Sequence, residues 1–92
     1  TYLNPQERQA ALCLSRSLRQ AKALLEGGET SASAVVDSIR TEIGKEPLAR
    51  IDYVEVVDWK NLEPVETIDG AVLVAMAVYI GKTRLIDNII FE

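Results

Sequence analysis

Histidine is absent from the 92 residues, and cysteine, methionine, tryptophan and phenylalanine occur once each. Without imidazole, and with a single thiol, no zinc site of the usual ligand types can be assembled from this chain. General acid–base chemistry would fall to carboxylates or lysine. Cys13 has no partner for an intrachain disulfide, which suits a reducing cytoplasm, and no histidine to activate it as a nucleophile. Within a helical pattern it reads as a small buried hydrophobe. Long apolar runs are missing too: the longest, Ala71 to Ile80, is far too short to span a bilayer. The chain opens on the polar TYLNPQERQ, with no signal-peptide pattern, so neither membrane nor export is expected. No internal repeat or low-complexity tract is present.

Positive charge is scarce as well. Ten Lys and Arg against 14 Asp and Glu give a net charge of −4 and a pI near 4.8. That balance argues against nucleic acid, whose binding rests on neutralising phosphates. The carboxylates gather in residues 52–69, where Asp52, Glu55, Asp58, Glu63, Glu66 and Asp69 face one Lys60. Such a stretch reads as a solvated face in preference to a cation site. What the chain has in quantity is apolar residues, 48% against 26% charged, which excludes a disordered segment. Residues 1–92 therefore read as a single small domain with a modest core and little room for a deep private cleft.

NPQE at residues 4–7 is a helix start, with Asn4 as cap, Pro5 at the first helical position and Glu7 completing a capping box. Ala11, Leu14, Leu18, Ala21 and Leu25 follow at spacings of three and four, on one core-facing stripe. Gly27 or Gly28 ends the helix. A second helix starts near Thr30 or Ser31, buries Ala32, Val35, Val36, Ile39 and Ile43, and stops at Gly44; it should pack antiparallel to the first. From residue 50 to 58 the period changes to that of a strand, with Val54 and Val56 on one face and Tyr53 on the other. Residues 59–70 are irregular, punctuated by Pro64 and Asp69-Gly70. Trp59, at the strand end, reads as a cover for the sheet edge, with a stacking site for a base or ring as the alternative.

YIGKTRLIDN, residues 79–88, carries the Gly-Lys-Thr that closes a phosphate loop. Such a loop needs a glycine five residues before Gly81 and a helix after it, but position 76 is Met76 and the flanking runs are strand-like. Two apolar runs separated by Gly81-Lys82 fit a β-hairpin, with Gly81 supplying the positive φ of a type II′ turn. The fold class is thus α+β, two N-terminal helices packed on a three-stranded, mainly antiparallel sheet ending in a β-hairpin. Ala71 to Ile80 is apolar on both faces, so it reads as the central strand of a sheet whose second face wants a partner. A homo-oligomer, most simply a dimer, is expected.

YLNPQER at 2–8, DYVEVVD at 52–58 and GKTRLIDNI at 81–89, in this order, resemble the C-terminal domain of the pantoate–β-alanine ligase (pantothenate synthetase) family. Each fragment is weak alone, but the three together run through essentially the whole chain. The resemblance implies an N-terminal ATP-binding domain of Rossmann type upstream, as the partner of this chain. With ATP and magnesium it would form a pantoyl adenylate, which β-alanine attacks to give pantothenate, AMP and pyrophosphate. The family's catalytic motifs lie upstream, so no catalytic residue and no metal ligand carries over onto a position here, and the isolated chain is expected to be inactive. What carries over is the role of a lid, moving about a hinge near Thr1. Lys82 and Arg84, the only cations after Asp69, are the candidates to face the ligand from that lid. The alternative is a free-standing interaction or dimerisation module without catalytic activity.

Overall fold

The computed structural model describes residues 3–92. Tyr2, the first letter of the YLNPQER motif, and the hinge expected near Thr1 lie outside the described residues. Helix α1 spans Pro5–Glu26, α2 spans Ala32–Gly44, and strands β1 (Ala49–Asp58), β2 (Val72–Ile80) and β3 (Thr83–Phe91) form one antiparallel sheet in the order β1-β2-β3. The two-helix, three-strand architecture read from the sequence is the one found. None of the described helices is long and apolar enough to cross a membrane.

The capping box at the start of α1 is complete. The Glu7 amide donates to Asn4 Oδ1 at 2.7 Å, and the Asn4 amide donates to Glu7 Oε1 at 3.1 Å. At the other end Gly27 caps and Gly28 takes φ +96°. The Gly28 and Glu29 amides then reach the carbonyls of Leu25 and Leu24, the two bonds of a Schellman ending. Ser31 caps α2, and its hydroxyl accepts from the Ala34 amide.

Ala10, Cys13, Leu14, Leu18, Ala21 and Leu25 of α1, with Ala32, Val35, Ile39 and Ile43 of α2, bury one apolar layer against the sheet. The sheet answers with Val54 and Val56 of β1 and with Val72, Val74, Met76, Val78 and Ile80 of β2; Leu85, Ile89 and Phe91 of β3 pack at its margin. Fully burying an Ile39 or an Ile43 stabilises the fold by about 1.5–3 kcal/mol each. Ala11 is only partly buried, and the tightest positions of α1 include Cys13 and Ser17. The Ser17 hydroxyl donates to the Leu14 carbonyl at 2.8 Å, which makes its burial tolerable.

Residues 59–71 do more than connect. Asp58 accepts from the Lys60 and Asn61 amides, Leu62 sits at φ +60°, and the chain returns so that the Val65 amide donates to the Val56 carbonyl and the Asp58 amide to the Glu63 carbonyl. This covers the outer edge of the second half of β1. The first half carries a bulge at Asp52, between the paired Ile51 and Tyr53.

Gly81 and Lys82 alone join β2 to β3, with Ile80 paired to Thr83. Gly81 takes φ +61° while Lys82 stays at negative φ, as a type II′ turn requires. The Gly-Lys-Thr is a hairpin turn. Its tip lies against the start of α1, so closely that a Cβ at position 81 would run into the Glu7 carboxylate. Gly81→Ala is expected to lower stability by about 1 kcal/mol or more, through the left-handed backbone and the displaced Glu7. A chemical-denaturation midpoint unchanged from wild type would contradict this account of the turn.

Candidate functional site on the open sheet face

The helices cover one face of the sheet. On the other, no described element covers the side chains that alternate outward from the three strands. Near the hairpin tip the register sets Arg50, Tyr79 and Arg84 in one row across β1, β2 and β3. The Arg50 guanidinium stands 4.8 Å from the Tyr79 ring centroid, and that of Arg84 stands 6.0 Å from the Tyr53 ring centroid. Both arrangements are those of cation–π pairs.

The bulge at Asp52 has a consequence here. Arg84 reaches across β2, and its Nε donates to Asp52 Oδ2 at 3.0 Å. Both side chains are about 40% exposed, so the pair is worth only about 0.2–1 kcal/mol and leaves Arg84 free to exchange partners. Lys82 projects from the turn itself, exposed and without an ion pair among the described residues. Of the two cations that the sequence singles out, one is thus anchored on the sheet face and the other stands at its rim. The sequence does not single out Arg50 and Tyr79; only strand register brings them beside Arg84. The corner gathers three cations and one carboxylate in a chain of net negative charge, and its guanidinium groups and flat rings suit an anion or an aromatic ring.

Elsewhere the polar groups are committed to structure. Glu42 is buried between the helices and accepts from Gln20 Nε2 at 3.0 Å, Arg16 Nε at 3.1 Å and Lys45 Nζ at 3.3 Å. The hydrogen bond from Gln20, followed by those from Arg16 and Lys45, outweighs burial and holds its carboxyl below the ordinary value of 4.5. A carboxylate so fully occupied by donors ties α1 to α2 and is no general acid. The sequence does carry a sign of it: Glu42 falls beside Ile39 and Ile43 on the buried stripe of α2. Cys13 is fully buried, and burial, with the carboxylate of Glu46 adding to it, raises its thiol above the ordinary 9.0, so the sulfur stays protonated near neutrality. Among the described residues no three His, Cys, Asp or Glu side chains are placed to hold a metal ion.

Comparison with known proteins gives a consistent result. The family model for pantoate-beta-alanine ligase matches residues 1–90. The pantothenate synthetases of Clostridium novyi (strain NT) and Heliobacterium modesticaldum are 57% and 55% identical over 91 residues. Each alignment takes in 99% of this chain and 32% of the relative. The crystal structure of pantothenate synthetase from Thermus thermophilus superposes with a TM-score of 0.86 at 25% identity, over 96% of this chain and 32% of that one. The chain spans about a third of the length of the relatives it matches.

The Glu42 cluster yields a pH prediction. Its carboxyl is lowered in the folded state, so its contribution to stability is fully present above the unfolded value near 4.5 and is lost as pH falls through the lower folded value. Glu42→Gln should therefore destabilise the domain near neutrality and flatten the decline of wild-type stability on acidification below pH 4.5. Denaturant midpoints of the two proteins compared across that range test it. Parallel curves would contradict it.

Proposed function

The chain belongs to the pantoate-beta-alanine ligase family, as its C-terminal domain, and we propose that it acts as a lid over an ATP-dependent site formed by the other two thirds of the enzyme. In that reaction the carboxylate of pantoate attacks the α-phosphorus of ATP and displaces pyrophosphate. The amine of β-alanine then attacks the acyl carbon of the pantoyl adenylate and displaces AMP. Both steps move negative charge between phosphates and leaving groups. A cation carried in by a closing lid stabilises such charge best where water is excluded.

The observation that carries this reading is the match to an acyl-activating ligase along residues 1–90, combined with a corner of cations and rings at the hairpin tip. Arg84 is the residue assigned to the phosphates. Its tether to Asp52 is weak enough to open, and its guanidinium is suited to bidentate contact with an anion. Lys82 reaches from the turn as a second, more mobile charge. ATP and magnesium themselves are assigned to the remainder of the enzyme, since Gly-Lys-Thr forms a hairpin here and the described acidic side chains are not grouped around an ion. A cytoplasmic location follows from a biosynthetic role on soluble substrates. The exposed Ile86 and Ile90 favour a second reading, an interaction module with no chemistry of its own.

Two measurements separate these readings. The isolated chain, mixed with pantoate, β-alanine, ATP and magnesium, is expected to release no AMP, whereas the chain joined to the rest of the ligase does. In that longer protein Arg84→Ala should lower kcat/KM for ATP by about tenfold or more, with little change in thermal stability because the exposed ion pair contributes so little. If Arg84→Ala and Lys82→Ala both keep wild-type kcat and KM, the cations are structural and the lid contact is wrong.

A further inference from the structure

We propose that β3 is a dimerisation edge, and that two copies of this chain pair through it, antiparallel, about a two-fold axis at Asn88. The two edges of the sheet are treated differently. The outer edge of β1 is broken by the Asp52 bulge and then occupied by residues 63–65. Bulges and covering segments are the means by which sheets avoid pairing with other chains. β3 has neither. It runs nine residues, pairs with β2 in unbroken register from Thr83 to Phe91, and contains no proline or lysine.

The hairpin geometry says which main-chain groups are free. Residues flanking a two-residue turn exchange both their hydrogen bonds, so Thr83 bonds β2, and with it Leu85, Asp87, Ile89 and Phe91. The amides and carbonyls of Arg84, Ile86, Asn88 and Ile90 therefore point outward. A symmetric antiparallel pair must match these residues among themselves, which leaves few registers. Centring the axis on Asp87 sets two carboxylates face to face and puts Ile86 opposite the partner's Asn88. Centring it on Ile89 puts Asn88 opposite the partner's Ile90 and Ile86 opposite the partner's Glu92.

Centring it on Asn88 sets Ile86 opposite the partner's Ile90 and Arg84 opposite the partner's Glu92, each twice by symmetry. On the helix-covered face it sets Leu85 opposite the partner's Phe91. Like thus meets like among the apolar residues, and opposite charges meet at both ends. The exposure of these side chains agrees. Ile86 is 61% and Ile90 46% exposed in the single chain. Leu12, 51% exposed, lies on the same stripe of α1 as Ser15, Arg19 and Lys22, which line a groove with Asp87 and Ile89 under this edge. Three large exposed apolar side chains therefore flank one unprotected strand.

The test is a mass measurement, independent of ligase activity and so of the lid reading. By light scattering the chain should approach twice its 10.1 kDa protomer mass as concentration rises from micromolar to millimolar. Ile86→Lys should raise the dissociation constant tenfold or more while leaving the circular dichroism spectrum unchanged, since the residue is exposed in the protomer. Glu92→Arg should also weaken the dimer, and adding Arg84→Glu in the same chain should restore it; simple loss of the Arg84–Asp52 pair would not be rescued this way. Under mild oxidation Asn88→Cys should cross-link and Asp87→Cys should not. A monomer at all concentrations would overturn the proposal and leave the edge to the remainder of the longer ligase. Cross-linking through Asp87→Cys alone, or failure of the charge exchange to rescue, would overturn the register.

Discussion

With only two residues between β2 and β3, the left-handed backbone at Gly81 sets the position of every side chain on the hairpin. A slip of one residue would turn Leu85, Ile89 and Phe91 to water and bring Arg84, Ile86 and Asn88 against the helices. The helical layer forbids that exchange, because Val74, Met76 and Val78 of the neighbouring strand are fully enclosed and leave no space for charge. Turn and core thus enforce the same register. The row of Arg50, Tyr79 and Arg84 and the outward main-chain groups of β3 are by-products of it.

The polar groups divide along the same line. Under the sheet each is satisfied and fixed: Ser17 bonds within its own helix, and Glu42 is surrounded by Gln20, Arg16 and Lys45. Above the sheet the charges are only loosely paired, and a solvated bond such as that of Arg84 to Asp52 is easily exchanged. Stability resides in one layer and adaptability in the other. A domain with no nucleophile, no histidine and one protonated thiol can contribute to chemistry only from that adaptable face, by placing charge.

Much of this is legible in the amino-acid sequence. Asn4, Pro5 and Glu7 announce the first helix, the spacing from Leu14 to Leu25 its buried side, and Gly81 between two apolar runs the hairpin. These signals are local: each depends on a cap, a period or a turn that a few neighbouring residues determine. The Asp52 bulge is hidden because strand alternation is a pattern within one strand, whereas a bulge is a mismatch between two. The return of residues 63–65 onto β1 is likewise invisible, being made of main-chain bonds that carry no side-chain signature. Lys82 and Arg84 stand out as isolated cations, but Arg50 and Tyr79 acquire meaning only from the strands beside them.

Glu7 closes the helix cap through one carboxylate oxygen while the other faces the hairpin turn at Gly81. One side chain therefore serves two elements that are more than seventy positions apart in the chain. The tolerance of either position to change is conditional on the other. A shorter residue at position 7 would forfeit the cap but make room beside the turn, and a side chain at position 81 would first have to displace the cap. Substitutions at the two sites should therefore be epistatic, and in the course of divergence the glycine and the glutamate are constrained as a pair. The beginning of α1 and the tip of the hairpin are for the same reason one mechanical body, so a displacement applied to the leading end of the helix is delivered directly to the turn that bears Lys82.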